Sequence, residues 1–284
     1  VVGDWVMITD ETGTCLVESV LPRHTTLSRA EAGGRSAEQV IAANVDVVGI
    51  CASCVAANPR RLERELTAVW SSGATPLVIL TKADLVEDPW RVVASTESAC
   101  VGADVVAASS QDGAGLDLIR QRIGHGTTMA LIGPSGVGKS TLVNVLCGQE
   151  VLATNEVRRD GKGRHTTASR YLVRLPGGGL LLDTPGMREF APWVDDDGLA
   201  ETFADIDELA AQCRFSDCRH ESEPGCRVLT AAADDEVMAK RLASWRSLQR
   251  ELAWLERRRD VRLMAQERRR WAAIAKSARP VIRP

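Results

Sequence analysis

The nine residues Gly133-Pro134-Ser135-Gly136-Val137-Gly138-Lys139-Ser140-Thr141 restrict the fold of this chain more than any other stretch. They match the pattern G-x-x-x-x-G-K-[ST] and lie between an apolar run, Thr128 to Ile132, and a segment of helical spacing from about Lys139 to Leu146. Small residues let successive backbone N–H groups turn inward around phosphate oxygens. A helix N-terminus behind them adds partial positive charge. Lys139 is expected to reach the β- and γ-phosphates and the Ser140 hydroxyl to ligate Mg²⁺. The motif predicts an α/β domain that binds a nucleoside triphosphate. By itself it does not separate ATP from GTP.

Thr81-Lys82-Ala83-Asp84 supplies the separation. It stands at the carboxyl end of the predicted strand Pro76–Leu80, where α/β sheets bind ligands, and fits [NT]-K-x-D. A carboxylate at Asp84 accepts two hydrogen bonds from N1–H and the exocyclic amine of guanine. Adenine offers no such donor pair and would leave the charge unpaired. The stem of Lys82 is expected along the base or the P-loop. Ser109-Ser110-Gln111-Asp112-Gly113-Ala114-Gly115-Leu116 follows another apolar segment and resembles the S-A-K-x-G-x-G-L loop of GTPases, with Ser110 in place of Ala. Asp183-Thr184-Pro185-Gly186 fits D-x-x-G, with Asp183 holding Mg²⁺ through water and the Gly186 N–H sensing the γ-phosphate.

The order of these motifs is informative. An ordinary Ras-like chain runs P-loop, switch threonine, D-x-x-G, then N-K-x-D; here the guanine-reading segment comes first and D-x-x-G last. That is a circular permutation, and it sends the chain out of the G domain directly after the segment that responds to γ-phosphate loss. The intervening sequence fits a parallel sheet. Val45–Ile50 reads as a buried strand, Asn58-Pro59 as an N-cap followed by a first-turn proline, and Leu62, Leu66, Val69 and Trp70 as one helical face ended by Gly73.

Outside that domain the chain changes character. Gly3–Ile8 and Cys15–Val20 read as short β segments around an Asp10–Gly13 turn. Cys213, Cys218, His220 and Cys226 form C-x₄-C-x-H-x₅-C, a complete tetrahedral set for structural Zn²⁺, with Pro224-Gly225 turning Cys226 back. Beyond Asp234, Leu242, Trp245, Leu248, Leu252 and Leu255 share one helical stripe. The net charge of −3 predicts no nucleic-acid partner, but it hides a basic end containing Arg257–Arg259, Arg262, Arg268–Arg270, Lys276, Arg279 and Arg283. Such a run fits either RNA phosphates or a solvated helix face. No signal segment or membrane-crossing apolar run is present, and eight Cys with three gathered beside a His suit a reducing cytoplasm.

Taken together, the NPRRL segment at Asn58–Leu62, TKAD, the P-loop, Gly163-Arg164-His165-Thr166-Thr167, Asp183–Arg188 and the zinc window resemble the ribosome small-subunit-dependent GTPase A family. The resemblance implies a partial OB-type β-barrel over residues 1–38, a circularly permuted P-loop GTPase domain over 39–192, and a helical zinc-binding domain over 193–284. It implies a GTP hydrolase stimulated by the small ribosomal subunit, contacts to its rRNA, and a role in late maturation of that subunit. GTP/GDP, Mg²⁺ and one structural Zn²⁺ are the expected cofactors; no membrane partner is expected, and a monomer is. Where Ras-like enzymes carry a water-orienting Gln, this chain has Met187, whose thioether cannot orient water, so slow intrinsic hydrolysis is expected. Asn155–Thr167 reads as switch I, with Thr166 or Thr167 as a Mg²⁺ ligand and His165 either positioning water, contacting RNA or riding on the loop. A P-loop ATPase or kinase, or a nucleotide-gated RNA scaffold with negligible turnover, are the competing readings.

Overall fold

A computed structural model of the chain describes residues 1–11, 14–30, 38–151, 171–183, 195–259, 268–269 and 271. The first two elements, β1 (Val6–Glu11) and β2 (Thr14–Val20), form the antiparallel hairpin expected from the alternating residues around Asp10–Gly13. A second hairpin, β3 (Thr26–Ala30) with β4 (Glu38–Ala43), was not legible, and it carries the antiparallel pairing past residue 38 to Ala43. Leu27, Ile41 and Ala42 of this hairpin are buried and join the core beneath the main sheet.

That sheet begins with β5 (Val47–Ser53), whose near-continuous apolar run is buried on both faces, as parallel strands covered by helices require. Helix α1 (Pro59–Ser71) starts as predicted: the Asn58 side chain accepts from the Arg61 N–H, and Pro59 fills the first turn. The chain continues through β6 (Thr75–Thr81), α2 (Pro89–Glu97), β7 (Asp104–Ala107), α3 (Leu116–Arg122), β8 (Thr128–Ile132) and α4 (Lys139–Cys147). It then forms the hairpin β9 (Tyr171–Arg174) and β10 (Leu180–Asp183) around a turn at Pro176–Gly179. The spatial order is β7-β6-β5-β8-β10-β9, parallel except for β9.

After the G domain come α5 (Asp196–Thr202), α6 (Ala204–Ala210), α7 (Arg227–Asp234) and α8 (Glu236–Arg259). The acidic stretch before the cysteines therefore holds two helices that were not foreseen. Its acids suit helix starts, since Asp195 caps α5 through the Gly198 N–H and Asp196 and Asp197 occupy the positive first turn. Leu199, Phe203, Ile206, Val228, Leu242, Trp245, Leu248 and Leu252 make a third core, which reaches Ala68 on α1. The predicted stripe on α8 is thus the buried one, except that Leu255 at its end is only half-buried. No described helix is long and apolar enough to cross a membrane.

One charged side chain lies inside this junction. Arg241 of α8 is almost fully buried; it donates to both Asp205 carboxylate oxygens (2.8 and 2.6 Å) and to the carbonyls of Thr202 (2.9 Å) and Ala99 (2.5 Å). It also lies 3.4 Å from Glu63 on α1 and stacks over the Phe203 ring. Removing one partner of a buried, satisfied charge network is costly. Arg241→Ala should therefore lower the unfolding free energy by about 3–5 kcal/mol in urea denaturation, whereas the exposed Lys240→Ala should leave it nearly unchanged.

Burial pushes the Glu63 carboxyl up to about 7, against the pull of Ser244 and Arg241. A carboxyl raised above its unfolded value keeps, in the native state, a proton that the unfolded chain has released. Stability from this group therefore falls as pH rises from the unfolded pKa through about 7. Unfolding midpoints between pH 5 and 8 should show that decline in the native protein and lose part of it in Glu63→Gln.

Candidate functional site

The P-loop leaves β8 at Gly133, whose φ of +132° and contacts exclude any side chain: a Cβ there would lie 2.4 Å from the Cys51 carbonyl oxygen of β5. The loop's backbone is thus laid directly on the neighbouring strand. Thr81, at the end of β6, is buried, and its hydroxyl lies 3.0 Å from the Ala52 carbonyl and 2.6 Å from the Val137 carbonyl. The structure spends that hydroxyl on holding the loop to the sheet. Lys82 adopts a left-handed backbone (φ +59°), and its ammonium donates to the Gly136 carbonyl at 2.9 Å, the P-loop side of the two expected placements. Lys139 opens α4 and lies across the loop, donating to the Gly133 (2.6 Å) and Pro134 (2.7 Å) carbonyls. Ser140 and Thr141 follow it in the first turn, behind Gly138.

Two further loops stand at the same sheet edge. Asp84 is exposed on a single 3₁₀ turn, Ala83–Leu85, directly after β6, and the Ala83 N–H donates to the Ala108 carbonyl after β7. Ser109 is fully buried, and its hydroxyl accepts from the N–H groups of Gln111 (3.2 Å) and Asp112 (3.3 Å). The Ala114 N–H and the Ser109 hydroxyl hold the Asp112 carboxyl below its ordinary range, so the loop around half-buried Ser110 closes on itself. Asp183 ends β10 at the same edge, on the other side of β8. Segments out of Ras-like order in sequence thus stand at one edge of the sheet, at the ends of β7, β6, β8 and β10, with β5 between β6 and β8. His165, Thr166, Thr167, Gly186 and the rest of both switch segments lie outside the described residues.

The four zinc-window donors converge, all within 4.8 Å of one another. Cys213 Sγ lies 3.8 Å from Cys226 Sγ and 3.7 Å from His220 Nδ1, and His220 Nδ1 lies 3.3 Å from Cys226 Sγ. A tetrahedron with metal–sulfur bonds of about 2.3 Å has edges of about 3.8 Å, so the spacing suits zinc. Helix α7 points its N-terminus at the thiols: the Leu229 N–H donates to Cys226 Sγ. Burial raises the Cys213 thiol, but the N–H groups of Arg227 and Val228 and the sulfurs of Cys226 and Cys218 outweigh it, and its pKa is lowered overall. Burial keeps the His220 pKa below its usual value, favouring the neutral ligand form. Its carbonyl accepts from Arg246, and its ring meets Trp245 with centroids 5.6 Å apart. The cluster is compatible with a closed Cys₃His zinc site. By contrast Cys51 and Cys100 are buried among apolar groups, with thiols pushed up to about 12, as expected for core packing.

One feature of the P-loop surroundings went unread in the sequence. Glu65 on α1 lines, with Arg61, a cavity of about 300 Å³ shared with Ser135 and Gly136. Its only signal is the i,i+4 spacing of an Arg and a Glu, which is common on exposed helices.

The strand order, the P-loop and the placement of the guanine-reading segment define a circularly permuted P-loop GTPase. The family model for the RsgA GTPase matches residues 20–193. A small ribosomal subunit biogenesis GTPase RsgA 1 of Oceanobacillus iheyensis is 41% identical over 279 residues, covering 96% of this chain and 80% of its own. Its namesake in Streptomyces coelicolor is 44% identical, covering 97% and 77%. The crystal structure of YjeQ from Thermotoga maritima superposes with a TM-score of 0.64 at 27% identity, covering 88% of this chain and 84% of that one. The circularly permuted GTPase YloQ gives the same score at 26% identity, covering 88% and 80%. The chain belongs to the RsgA GTPase family, whose members hydrolyse GTP.

Zinc content by atomic emission should read a single ion per chain in the native protein and none in a Cys213→Ser/Cys226→Ser double variant. Chelation should lower the thermal midpoint of the native protein and leave that of the double variant unmoved.

Proposed function

We propose that the protein binds GTP and Mg²⁺ at the carboxyl edge of its sheet and hydrolyses GTP on the small ribosomal subunit, assisting that subunit's late maturation. The observation that carries this reading is the gathering of the Ser109 loop, TKAD, the P-loop and Asp183 on the strand ends of β7, β6, β8 and β10. The names of the relatives supply the subunit as partner. Backbone N–H groups of Gly133–Ser140 and the Lys139 ammonium hold the phosphates; Asp84 reads guanine while Lys82 braces the loop. Ser140, Asp183 and either Thr166 or Thr167 hold Mg²⁺, directly or through water, and the ion neutralises charge between the β- and γ-phosphates. The Gly186 N–H senses the γ-phosphate. Met187 leaves the attacking water unoriented, so turnover waits for the partner to order the segment bearing His165, the candidate water-positioning group. The zinc ion is structural, the basic end including Arg257 and Arg268 contacts rRNA, and the two N-terminal hairpins are part of an OB-type module.

GTP turnover measured with and without small subunits, with ATP in parallel, tests this. Stimulation confined to GTP is expected; equal ATP turnover or indifference to the subunit would overturn it. Asp84→Asn tests the base reading separately. It replaces the acceptor pair by an amide that can donate to the 2-oxo group of xanthine, so GTP affinity should fall by roughly 10²-fold or more while xanthosine triphosphate is gained.

A further inference from the structure

The cavity between α1 and the P-loop holds an ion pair that the site described above does not use. Arg61 and Glu65 stand one turn apart on α1, and both line the cavity together with Asn58, Ser53 and the P-loop residues Ser135 and Gly136. Glu65 is buried, its side chain 5% exposed, whereas that of Arg61 is 43% exposed. Arg61 directs both Nε (2.9 Å) and Nη2 (2.8 Å) onto a single oxygen, Glu65 Oε1. Glu65 Oε2 is buried and has no hydrogen-bond partner among the described residues.

This arrangement is under-satisfied. The strong geometry for an arginine and a carboxylate is fork to fork, with two parallel bonds to two oxygens. Here one oxygen takes both donors, and leaving the other buried and unpaired is costly. Burial accordingly raises the Glu65 pKa, opposed by Arg61 and by the Lys139 ammonium. The guanidinium is held at the cavity wall by a carboxylate that gains little from holding it. Across about 300 Å³ stand the N–H groups that cradle the phosphates. A cavity this small lets one ligand meet both walls. A phosphoryl group carries more charge than a carboxylate and matches the arginine fork.

We propose that Arg61 is a catalytic arginine supplied in cis: parked on Glu65 when the site is empty, it turns onto the terminal phosphoryl group of bound GTP. There it stabilises the charge that spreads over the equatorial oxygens as water attacks phosphorus and the bond to GDP breaks. It supplies charge, which Met187 cannot, and leaves water orientation to the partner. The inference rests on the placement of GTP at the P-loop proposed above.

Single-turnover GTP hydrolysis on small subunits, and affinity for a fluorescent GTP analogue, are measured for Arg61→Ala, Arg61→Lys and Glu65→Gln. Arg61→Ala is expected to lose at least tenfold in hydrolysis, toward the ~10³-fold that a transition-state arginine supplies, with nucleotide affinity changed by less than about threefold. Arg61→Lys, which lacks the fork, should recover only part of the rate, and guanidinium ion at low millimolar concentration should partly rescue Arg61→Ala. Glu65→Gln, which releases the arginine, should raise turnover several-fold. Native rates in Arg61→Ala would overturn the proposal. So would affinity lost in step with rate, which would make Arg61 a prop for the loop, or a fall in Glu65→Gln, which would make Glu65 part of the working position. Lys139→Ala separates the premise: unchanged GTP affinity there would mean that GTP sits elsewhere, whatever Arg61 does.

Discussion

The nucleotide site depends on one close contact, the seating of the P-loop backbone on strand β5. Gly133 approaches the Cys51 carbonyl so closely that only hydrogen fits between them, and the Thr81 hydroxyl stands between the Ala52 and Val137 carbonyls on the far side. These contacts fix the loop from two neighbouring strands before any phosphate arrives. Preorganisation of this kind matters because inward-facing N–H groups repel one another and would otherwise have to be ordered at the expense of binding energy. The Lys82 bond to Gly136 adds a third tie, so the TKAD segment also braces the P-loop.

Permutation changes what is joined to that site. The chain leaves β10 and reaches α5, which packs on α1 closely enough that a Cβ on Gly198 would lie 2.2 Å from Ser71 Oγ and 2.3 Å from the Thr67 carbonyl. The Asp195 N–H also donates to Ser71 Oγ. Helix α1 thus faces the P-loop cavity with Arg61 and Glu65 and the C-terminal helices with Glu63, Arg64, Thr67 and Ser71. One helix therefore shares a cavity with the phosphate loop and packs on both α5 and α8. A two-state change at the phosphate loop would have a short, physically continuous route to the C-terminal helices that carry the Cys₃His cluster.

Much of this was legible because chemistry restricts residue type at the places that matter. Glycine turns before a Lys mark a phosphate loop, T-K-x-D at a strand end marks a base-reading segment, and the short spacing of Cys213, Cys218, His220 and Cys226 marks a cluster whose donors the fold does bring together. The strands β5, β6 and β8 were legible within a few residues from apolar runs. Helix α5 was not, since its sequence carries Gly198 in the first turn, a residue kept there by the approach of α1, not by helical preference. The pairing of β3 with β4 was missed for a different reason: register between segments separated along the chain is set by packing against Val45 and the sheet, which leaves little trace in local alternation. Arg241 stands next to Leu242 in an apolar stripe, and nothing in the sequence distinguishes it from a solvated helix position.

The burial of Arg241 bears on why the C-terminal helices dock in one orientation. A well-packed apolar side chain at such a position often matches or exceeds the stability of a buried ion network, because the desolvation of a guanidinium is offset only when its donors find acceptors. Here the acceptors come from four separate elements: Asp205 on α6, Thr202 on α5, the carbonyl of Ala99 after α2, and Glu63 on α1. An apolar contact would tolerate sliding by a residue or rotation by a few degrees. A planar guanidinium with acceptors on several sides does not, since any displacement strands a buried charge. The third core is small, so apolar packing alone would hold it loosely. The charge network adds a directional constraint where α1, α2, α5, α6 and α8 meet, and the orientation of the C-terminal helices relative to the phosphate loop follows from it.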